Sequence, residues 1–451
     1  MTYQGNVTSP IDVPKAPRTR RARTFLLVWT VLTMLVGAVS FALIYFATGM
    51  IGTAEAGNGN GDVVAEVMAS PTPAESAAQP TPIATMVPAP NASDGNADVP
   101  APAQGAGGNV DVAAPTVIPV TPTVGPPPIP AEIEGTLPAD FALGAHFSGI
   151  YEDERLDYLR RAGMTWVKIQ IRYSPGMNAD DFGWQVQLNH ENGFRVLWGV
   201  VGEPEDLLEP GYYDEYAQFV GRLAEIGSDA IEIWNEVNLD REWPQGRVDA
   251  AMYTEFLAAS YTEIKARNPN TMVISAGLAP TGFFGGRCTP EGCDDDVYYR
   301  EMAAAGAGQY MDCIGAHYNE GIISPTLTSG DPRDTDSGTR YLQTNTARAA
   351  DPFNNEIPVC YTELGYLTSE GYGELPSGFA WAQDVTLEQQ AAWLGTAALI
   401  NAQSGIVDMM IIWNLDKERF DEDPMAGYAI IRPDGSCPAC DTLGSLWPQE
   451  Q

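Results

Sequence analysis

The sequence predicts an α/β protein in which a (β/α)8 barrel, or TIM barrel, follows a single membrane-spanning helix and a disordered linker. Three observations predict this arrangement: a long uncharged run near the N-terminus, a Pro- and Gly-rich stretch after it, and eight β-like runs that alternate with helical patterns in the rest of the 451 residues. The expected parts are a basic tail (1–23), a signal anchor (24–51), a linker (52–136) and one barrel domain (137–451).

The first 51 residues have the pattern of a membrane anchor. A basic cluster from Arg18 to Arg23 precedes an uncharged run from Thr24 to Ile51, which exceeds the ~20 apolar residues that cross a bilayer. No Lys or Arg follows until Arg155, so the positive-inside bias predicts a cytoplasmic N-terminus and an extracytoplasmic barrel. A cleaved signal peptide is the alternative, because Ala54 to Ala56 resembles a cleavage site, but the apolar run is longer than a signal peptide needs.

The linker is rich in Ala, Pro, Gly, Thr and Val and ends in the run Gly125 to Pro130. Such a composition cannot bury enough apolar surface to offset the entropy of ordering the chain, so we expect a disordered, partly extended tether. The tether would hold the barrel domain away from the membrane.

Repeated strand–helix units predict the barrel. The eight predicted strands are Phe141 to Phe147, Thr165 to Tyr173, Arg195 to Val201, Ala230 to Val237, Met272 to Leu278, Met311 to Tyr318, Pro358 to Leu364 and Asp408 to Leu415. Helical patterns between them include Asp153 to Ala162, Tyr212 to Ile226, Ala250 to Arg267, Asp295 to Ala305 and Thr386 to Ala402. Eight such units fit a (β/α)8 barrel, and a doubly wound open sheet is the alternative.

Strands two and four alternate between apolar and polar residues, which places the polar set on one face. We expect that face to line the barrel interior, with Lys168, Gln170, Arg172, Glu232, Trp234 and Glu236 pointing inward. Lys168 and Glu232 would neutralise one another deep in the barrel. Arg172 and Glu236 would reach the C-terminal rim, where the active sites of such barrels lie.

Charge and motif content exclude several classes of function. The net charge of −35 disfavours nucleic acids and polyanions as partners, so a neutral or cationic partner is expected. No glycine-rich phosphate fingerprint follows the first strand, and the acids Asp331, Asp334 and Asp336 are a solvated loop rather than a calcium site. The three histidines show no zinc-ligand spacing with the cysteines: His146, His190 and His317. We therefore expect no metal, no cofactor and a monomer.

Two of the strands end in a glutamate, Glu236 and Glu363, and a pair of carboxylates is what a glycosidase requires. The surrounding motifs are Trp234-Asn235-Glu236, His317-Tyr318, Thr362-Glu363 and Trp413-Asn414, which end strands four, six, seven and eight. From about Phe141 to Leu415 the chain resembles the retaining β-glycosidase superfamily. Its members, such as glycoside hydrolase families five and thirty-nine, carry catalytic glutamates after strands four and seven of a (β/α)8 barrel.

The resemblance implies a role for each glutamate. Glu236 would be the general acid/base and Glu363 the nucleophile, about 5–5.5 Å apart for a retaining reaction. Arg172 beside Glu363 would keep the nucleophile ionised. Glu236, in an aromatic setting near another carboxylate, would stay protonated long enough to donate.

Further residues are expected to bind the sugar. Asn235 would hydrogen-bond the 2-hydroxyl, and the face of Trp413 would match the apolar face of a pyranose. His146 and Trp198, near the ends of strands one and three, are expected sugar contacts.

The pair His317 and Tyr318 are adjacent, so only one of them can point inward on a regular strand. Both are candidate substrate-binding residues, and the sequence leaves open which of them contacts Glu363.

Six cysteines in an extracytoplasmic domain predict disulfides. Local pairs are expected, Cys288 with Cys293 and Cys437 with Cys440. Cys313 lies four residues before His317 and Cys360 three before Glu363, so regular strands would point them in opposite directions. We expect both to be buried free thiols.

The function predicted from the sequence is a membrane-tethered, extracytoplasmic retaining glycoside hydrolase that cleaves a neutral, β-linked oligo- or polysaccharide by double displacement. A transglycosylase with the same carboxylates is one alternative. A catalytically silent, glycan-binding barrel is the other.

Overall fold

The computed structural model describes residues 135–149, 153–333 and 337–448. The predicted membrane anchor and nearly all of the predicted linker lie outside these residues. Within the described ranges, no helix is both long and apolar enough to cross a membrane.

Eight strands alternate with helices in chain order, as the sequence predicts. The strands are β1 (Ala142–His146), β2 (Trp166–Arg172), β3 (Arg195–Val201), β4 (Ala230–Ile233), β5 (Met272–Ser275), β6 (Ile314–Tyr318), β7 (Val359–Leu364) and β8 (Val407–Ile412). The helices that follow them are α1 (Asp153–Arg161), α2 (Gly183–Glu191), α3 (Tyr212–Glu225), α4 (Ala250–Arg267), α5 (Asp295–Ala304), α6 (Leu342–Ala350), α7 (Leu387–Ser404) and α8 (Pro438–Ser445). Helices α2, α6 and α8 are only eight or nine residues long and were not among the predicted helical patterns.

The eight strands form one closed parallel barrel. Hydrogen-bonded neighbours run in the order β5-β4-β3-β2-β1-β8-β7-β6. Two parallel bridges, Ile274 with Cys313 and Leu278 with Ala316, join β5 to β6 and complete the circle. This closure excludes the doubly wound open sheet and gathers all eight carboxyl ends of the strands at one mouth.

An apolar layer closes the lower part of the barrel interior. It consists of buried side chains from seven strands or the residues beside them: Trp166, Leu197, Ala230, Ile274, Cys313, Cys360, Met409 and Ile411. Side chains alternate along a strand, so the residues two positions further on face the same interior, nearer the mouth. Lys168 follows Trp166 and Glu232 follows Ala230 in this way.

The predicted pair of Lys168 and Glu232 is confirmed. Lys168 Nζ lies 2.7 Å from Glu232 Oε2, and both side chains are buried. Gly199 on β3 leaves the space, because a Cβ there would lie 3.0 Å from Lys168 Cε. Gln170 and Arg172 follow on the same face of β2 and are exposed.

The predicted inward orientation of Trp234 is wrong. β4 ends at Ile233, and Trp234 has a φ of 71°, so the regular alternation stops before it. Its fully buried indole packs against Tyr216, Trp243 and Phe256, with ring centroids 5.6 to 6.0 Å away. Trp234 therefore joins the layer between barrel and helices.

All six cysteines form disulfides. The two local pairs, Cys288–Cys293 and Cys437–Cys440, are confirmed. The prediction of free thiols is wrong, because Cys313 and Cys360 are bonded across neighbouring strands with their Cα atoms 5.9 Å apart.

An irregularity in β7 explains that bond. Ala316 pairs with Tyr361, but His317 pairs with Glu363, so the pairing skips Thr362. The extra residue reverses the alternation, and Cys360 and Glu363 both point inward although three positions separate them. The bond therefore lies in the apolar layer beneath the site.

Candidate active site

Glu236 lies just beyond β4 in a turn with an uncommon backbone conformation. Its φ is 41°, in the left-handed region that residues other than glycine seldom adopt. Its amide donates a 2.9 Å hydrogen bond to the carbonyl oxygen of Gly277 beyond β5. Such a conformation persists where the surrounding structure fixes it. The turn brings the carboxylate to the barrel mouth with 8% of the residue exposed.

His317 connects three carboxylates in the barrel. Its Nδ1 lies 3.2 Å from Glu236 Oε1 and 3.8 Å from Glu363 Oε2, while its Nε2 lies 3.8 Å from Glu232 Oε1. A side chain at position 277 would overlap the imidazole, so glycine is required there. Because the same nitrogen of His317 lies 3.2 Å from Glu236 Oε1 and 3.8 Å from Glu363 Oε2, these two oxygens are at most about 7 Å apart.

The structure shows which of the adjacent residues His317 and Tyr318 points into the barrel. His317 points inward, whereas Tyr318 packs 5.8 Å from the ring of Tyr366 and donates a hydrogen bond to the Arg340 carbonyl oxygen at 2.9 Å. Tyr318 is fully buried and lies away from the glutamates. Its expected contact with substrate is therefore not supported.

The charge on Glu236 differs from the expectation. Burial raises the pKa of Glu236, but the hydrogen bond with His317 and the charge of Arg241 outweigh burial and lower that pKa to about 2. Burial likewise opposes charge on His317, yet Glu363, Glu232 and Glu236 together raise its pKa to about 10. Glu236 is thus a carboxylate beside an imidazolium in the substrate-free protein, and its protonation for the donating step stays a prediction.

Lys168, rather than Arg172, is the cation beside Glu363. Lys168 Nζ lies 3.6 Å from Glu363 Oε1, and Asn319 Nδ2 donates to Glu363 Oε2 at 3.3 Å. Arg172 instead donates to the Gly202 carbonyl oxygen at 3.2 Å, and 57% of its side chain is exposed. The expected pairing of Arg172 with the nucleophile is wrong. Arg172 is the exposed last residue of β2, whereas Glu363 is buried and lies beside Lys168, four residues earlier on the same strand.

Two site residues were not predicted from the sequence. Arg241 contacts Glu236 Oε2 from the loop between β4 and α4. Asn319 directly follows the His317-Tyr318 pair, and its position two residues beyond an inward-facing His317 was the available signal.

Trp413 and His146 meet at the mouth beside β8 and β1. Their rings pack edge to face with centroids 4.6 Å apart, and the peptide bond from Trp413 to Asn414 is cis. Lys417 Nζ lies 5.7 Å from the centre of the Trp413 ring. Burial, aided by Lys168 and Lys417, holds the pKa of His146 well below its usual value. His146 is therefore neutral, and its Nδ1 has no hydrogen-bond partner among the described residues.

Trp198 does not reach the site. It is fully buried and donates a 2.9 Å hydrogen bond from Nε1 to Ser228 Oγ. Its ring packs 5.8 Å from that of Phe182, outside the barrel. The predicted sugar contact is wrong because the side chain of Trp198 has the outward parity of β3, and Gly199 has the inward one.

Asn235 stays a prediction. It is half-buried directly before Glu236. Within the part of the chain that the structure describes, its amide has no hydrogen-bond partner, so it is available to a ligand.

Metal ligands are scarce in the described ranges. The group found there is Cys288, Cys293 and Glu301, but the two cysteines are bonded to each other and cannot ligate as thiolates. Asp331 is held by Arg333 at 2.6 Å and Arg340 at 3.5 Å. Asp334 and Asp336 lie outside the described residues.

Replacing Lys168 by methionine is expected to destabilise the barrel by about 3–5 kcal/mol, because it leaves a buried carboxylate without its partner. Burial alone would raise the pKa of Glu232, but Lys168 and His317 lower it from 4.5 to about 2. The stability that this carboxylate contributes is therefore present above pH 4.5 and lost as the pH falls toward 2. Urea unfolding at several pH values measures both effects.

The double variant Lys168→Met with Glu232→Gln is the control. It should recover part of the loss, since the buried charge of Glu232 is removed together with that of Lys168. A single variant that unfolds at the same urea concentration as the wild type contradicts the assignment of a buried pair.

This chain resembles known proteins in structure but not in sequence. No protein-family model matches the chain, and no curated protein resembles it in sequence. Among solved structures it resembles a broad-specificity endoglucanase of glycoside hydrolase family 5 from Clostridium longisporum, at 12% identity over 68% of this chain and 96% of that one, with a TM-score of 0.48.

Two further solved structures are similar at the same level. One is a family 5 xyloglucanase from Paenibacillus pabuli (13% identity, 68% of this chain, 98% of that chain, TM-score 0.44). The other is Thermotoga maritima Cel5A in complex with cellobiose (13% identity, 67% and 97%, TM-score 0.41). The chain is thus similar to solved structures of family five, the family that the motifs of the sequence resemble. At these identities and TM-scores, function has to be argued from the site of this chain.

Proposed function

We propose that the protein is a retaining glycoside hydrolase that cleaves a β-linked oligo- or polysaccharide. The observation that carries the proposal is the placement of Glu236 just beyond β4 and of Glu363 near the end of β7 at one barrel mouth, with His317 between them. Trp413 is half-buried, and its amide donates a hydrogen bond to the carbonyl oxygen of Leu364, the residue after Glu363, so its ring would offer an aromatic face to a sugar at this mouth.

The proposed reaction has two steps. Glu363 attacks the anomeric carbon while Glu236 gives a proton to the departing glycosidic oxygen, and the bond to the leaving sugar breaks. Water then attacks the same carbon and loses its proton to Glu236, which frees Glu363. Lys168 Nζ, 3.6 Å from Glu363 Oε1, and Asn319 Nδ2, 3.3 Å from Oε2, hold this carboxylate in place before the attack and after its release.

A transglycosylase is the second candidate, because the same intermediate can pass to a sugar acceptor instead of water. Glu236 would then take the proton from the acceptor hydroxyl. A silent, glycan-binding barrel is less well supported, since a site that only binds sugar has no need of two glutamates that share one imidazolium, at 3.2 Å and 3.8 Å from its Nδ1.

The first test is a panel of aryl β-glycosides and β-glucans with a soluble chain that begins at Leu137. We expect cleavage that first releases the β-anomer of the product. Proton NMR during the reaction identifies this anomer. Release of the α-anomer contradicts retention, and no cleavage of any substrate contradicts hydrolysis. Added sugar acceptors that divert the product to longer chains favour the transglycosylase.

The cellular location is also a proposal. The Arg18 to Arg23 cluster and the uncharged run from Thr24 to Ile51 support a membrane-tethered enzyme with an extracytoplasmic barrel, suited to exported glycans.

Protease added to intact cells, after removal of any outer layer, is expected to cut the segment 52–136 and to release a soluble, active barrel domain. Cells lysed before the protease is added are the control. A barrel domain that stays attached and protected in intact cells contradicts the proposed orientation.

A further inference from the structure

The two oxygens of Glu236 have different surroundings. Oε1 faces the fully buried side chain of His317 at 3.2 Å. Oε2 faces the mouth, where it contacts Nη2 of Arg241, whose side chain is 64% exposed. Because Oε1 is held inside the barrel, Oε2 is the oxygen that can reach a glycosidic bond.

This arrangement conflicts with the first step of the proposed reaction. A general acid must carry a proton on the oxygen that faces the leaving group. Arg241 has only donors to offer and is always charged, so its contact with Oε2 favours the bare carboxylate. A proton on Oε2 would weaken this ion pair, and the guanidinium therefore opposes protonation of the oxygen that must donate.

We infer that Arg241 is a positioning residue that covers Oε2 of Glu236 before substrate binds and is displaced by the leaving-group sugar. This inference rests on the proposed function. Arg241 lies on an exposed loop and keeps most of its side chain in water, so little packing opposes its movement. His317 has no such freedom and remains on Oε1 throughout.

Several charged groups face Glu236 and together influence its pKa. They are His317 from β6, Arg241 and Glu242 from the loop after β4, and, through His317, Glu363 from β7 and Glu232 from β4. Burial and the charge of Glu236 raise the pKa of Glu242. Removing Arg241 from Oε2 then leaves His317 as the one cation in contact with Glu236 among the described residues.

The displacement fits both steps of the reaction. With Arg241 away, Glu236 takes up a proton from solvent and passes it to the glycosidic oxygen as the bond to the leaving sugar breaks. When that sugar departs, Arg241 can return and favour the carboxylate, which the second step needs as its base. Binding and release of one sugar would thus switch the same glutamate between acid and base.

The test compares pH profiles of kcat/KM and kcat, because the first reports ionisations of the free enzyme and the second those of the complex. The substrate is the β-linked trisaccharide that the full-length chain cleaves fastest. In the wild type, the alkaline limb of kcat/KM should lie at least ~1 pH unit below that of kcat, since an opposite charge nearby lowers a carboxyl pKa by 1–3 units. In Arg241→Met the two limbs should nearly coincide.

Arg247→Met is the matched control, because Arg247 is an exposed arginine on the same loop with no contact to Glu236. It should keep the wild-type separation, and Arg241→Lys should restore part of it. Equal limbs in the wild type, or an unchanged separation in Arg241→Met, would overturn the inference.

A titration separates this inference from the proposed function. Carbon-13 NMR of glutamate-labelled chain, with the Glu236 signal identified by its loss in Glu236→Gln, should show a higher pKa of Glu236 in Arg241→Met than in the wild type, without any turnover. Identical titrations overturn the inference whether or not the protein cleaves a glycoside. A shifted titration in a chain that cleaves no glycoside leaves the contact in place but refutes the hydrolase and the switch with it.

Discussion

Glu363→Ala is expected to abolish turnover of every glycoside, with kcat falling by roughly 10⁴- to 10⁶-fold as for other catalytic nucleophiles. The physical reason is that no other carboxylate of the site can reach the anomeric carbon, since Glu232 is fully buried and paired with Lys168. Steady-state kinetics on an activated aryl β-glycoside measures the loss.

Added azide is expected to restore turnover of Glu363→Ala and to give a product of opposite anomeric configuration. The cavity left by the missing carboxylate admits a small anion, which attacks the anomeric carbon directly and yields the α-glycosyl azide from a β-glycoside. Glu203→Ala is the control, because Glu203 has a 60% exposed side chain, 4.0 Å from Arg172, and should keep normal activity. Near wild-type turnover in Glu363→Ala would sink the assignment of the nucleophile.

Glu236→Ala is expected to divide substrates by their leaving groups. A natural sugar leaving group needs a proton, so its cleavage should slow by about 10²- to 10⁴-fold, the usual contribution of general acid catalysis. A dinitrophenyl leaving group needs almost none, so formation of the glycosyl-enzyme should survive. Hydrolysis of that intermediate should slow, because the base is lost.

Pre-steady-state kinetics tests this directly, as a burst of dinitrophenol followed by a slow phase. The aryl substrate is the internal control for folding and binding. Equal losses on both substrates would show that Glu236 supports the fold or binds sugar without transferring a proton.

The two buried cations of the site also reduce the repulsion among its three carboxylates. Glu232, Glu236 and Glu363 would repel one another in the barrel, and Lys168 and His317 lie between them. Burial by itself would lower the pKa of Lys168, yet Glu232 and Glu363 raise it. The site is thus a compact network in which each charge depends on several others, so removing one cation changes the protonation of more than one glutamate.

The sequence alone determined the architecture of the described part of the chain. Eight apolar, β-rich runs separated by helical patterns are local signals, and parallel strands place their carboxyl ends at one mouth. The positions of Glu236 and Glu363 follow from that topology. The pairing of Lys168 with Glu232 follows from the two-residue period of a strand, which is also a local property.

Tertiary structure decided what depends on departures from regular geometry. The residue skipped at Thr362 aligns Cys313 with Cys360, and the left-handed φ angles at Trp234 and Glu236 end the alternation of β4. The sequence carries no local mark of either irregularity, because each is imposed by strands distant along the chain. The charge on Glu236 was decided in the same way, since it depends on His317, 81 residues away, and on a loop arginine whose reach only the folded chain defines.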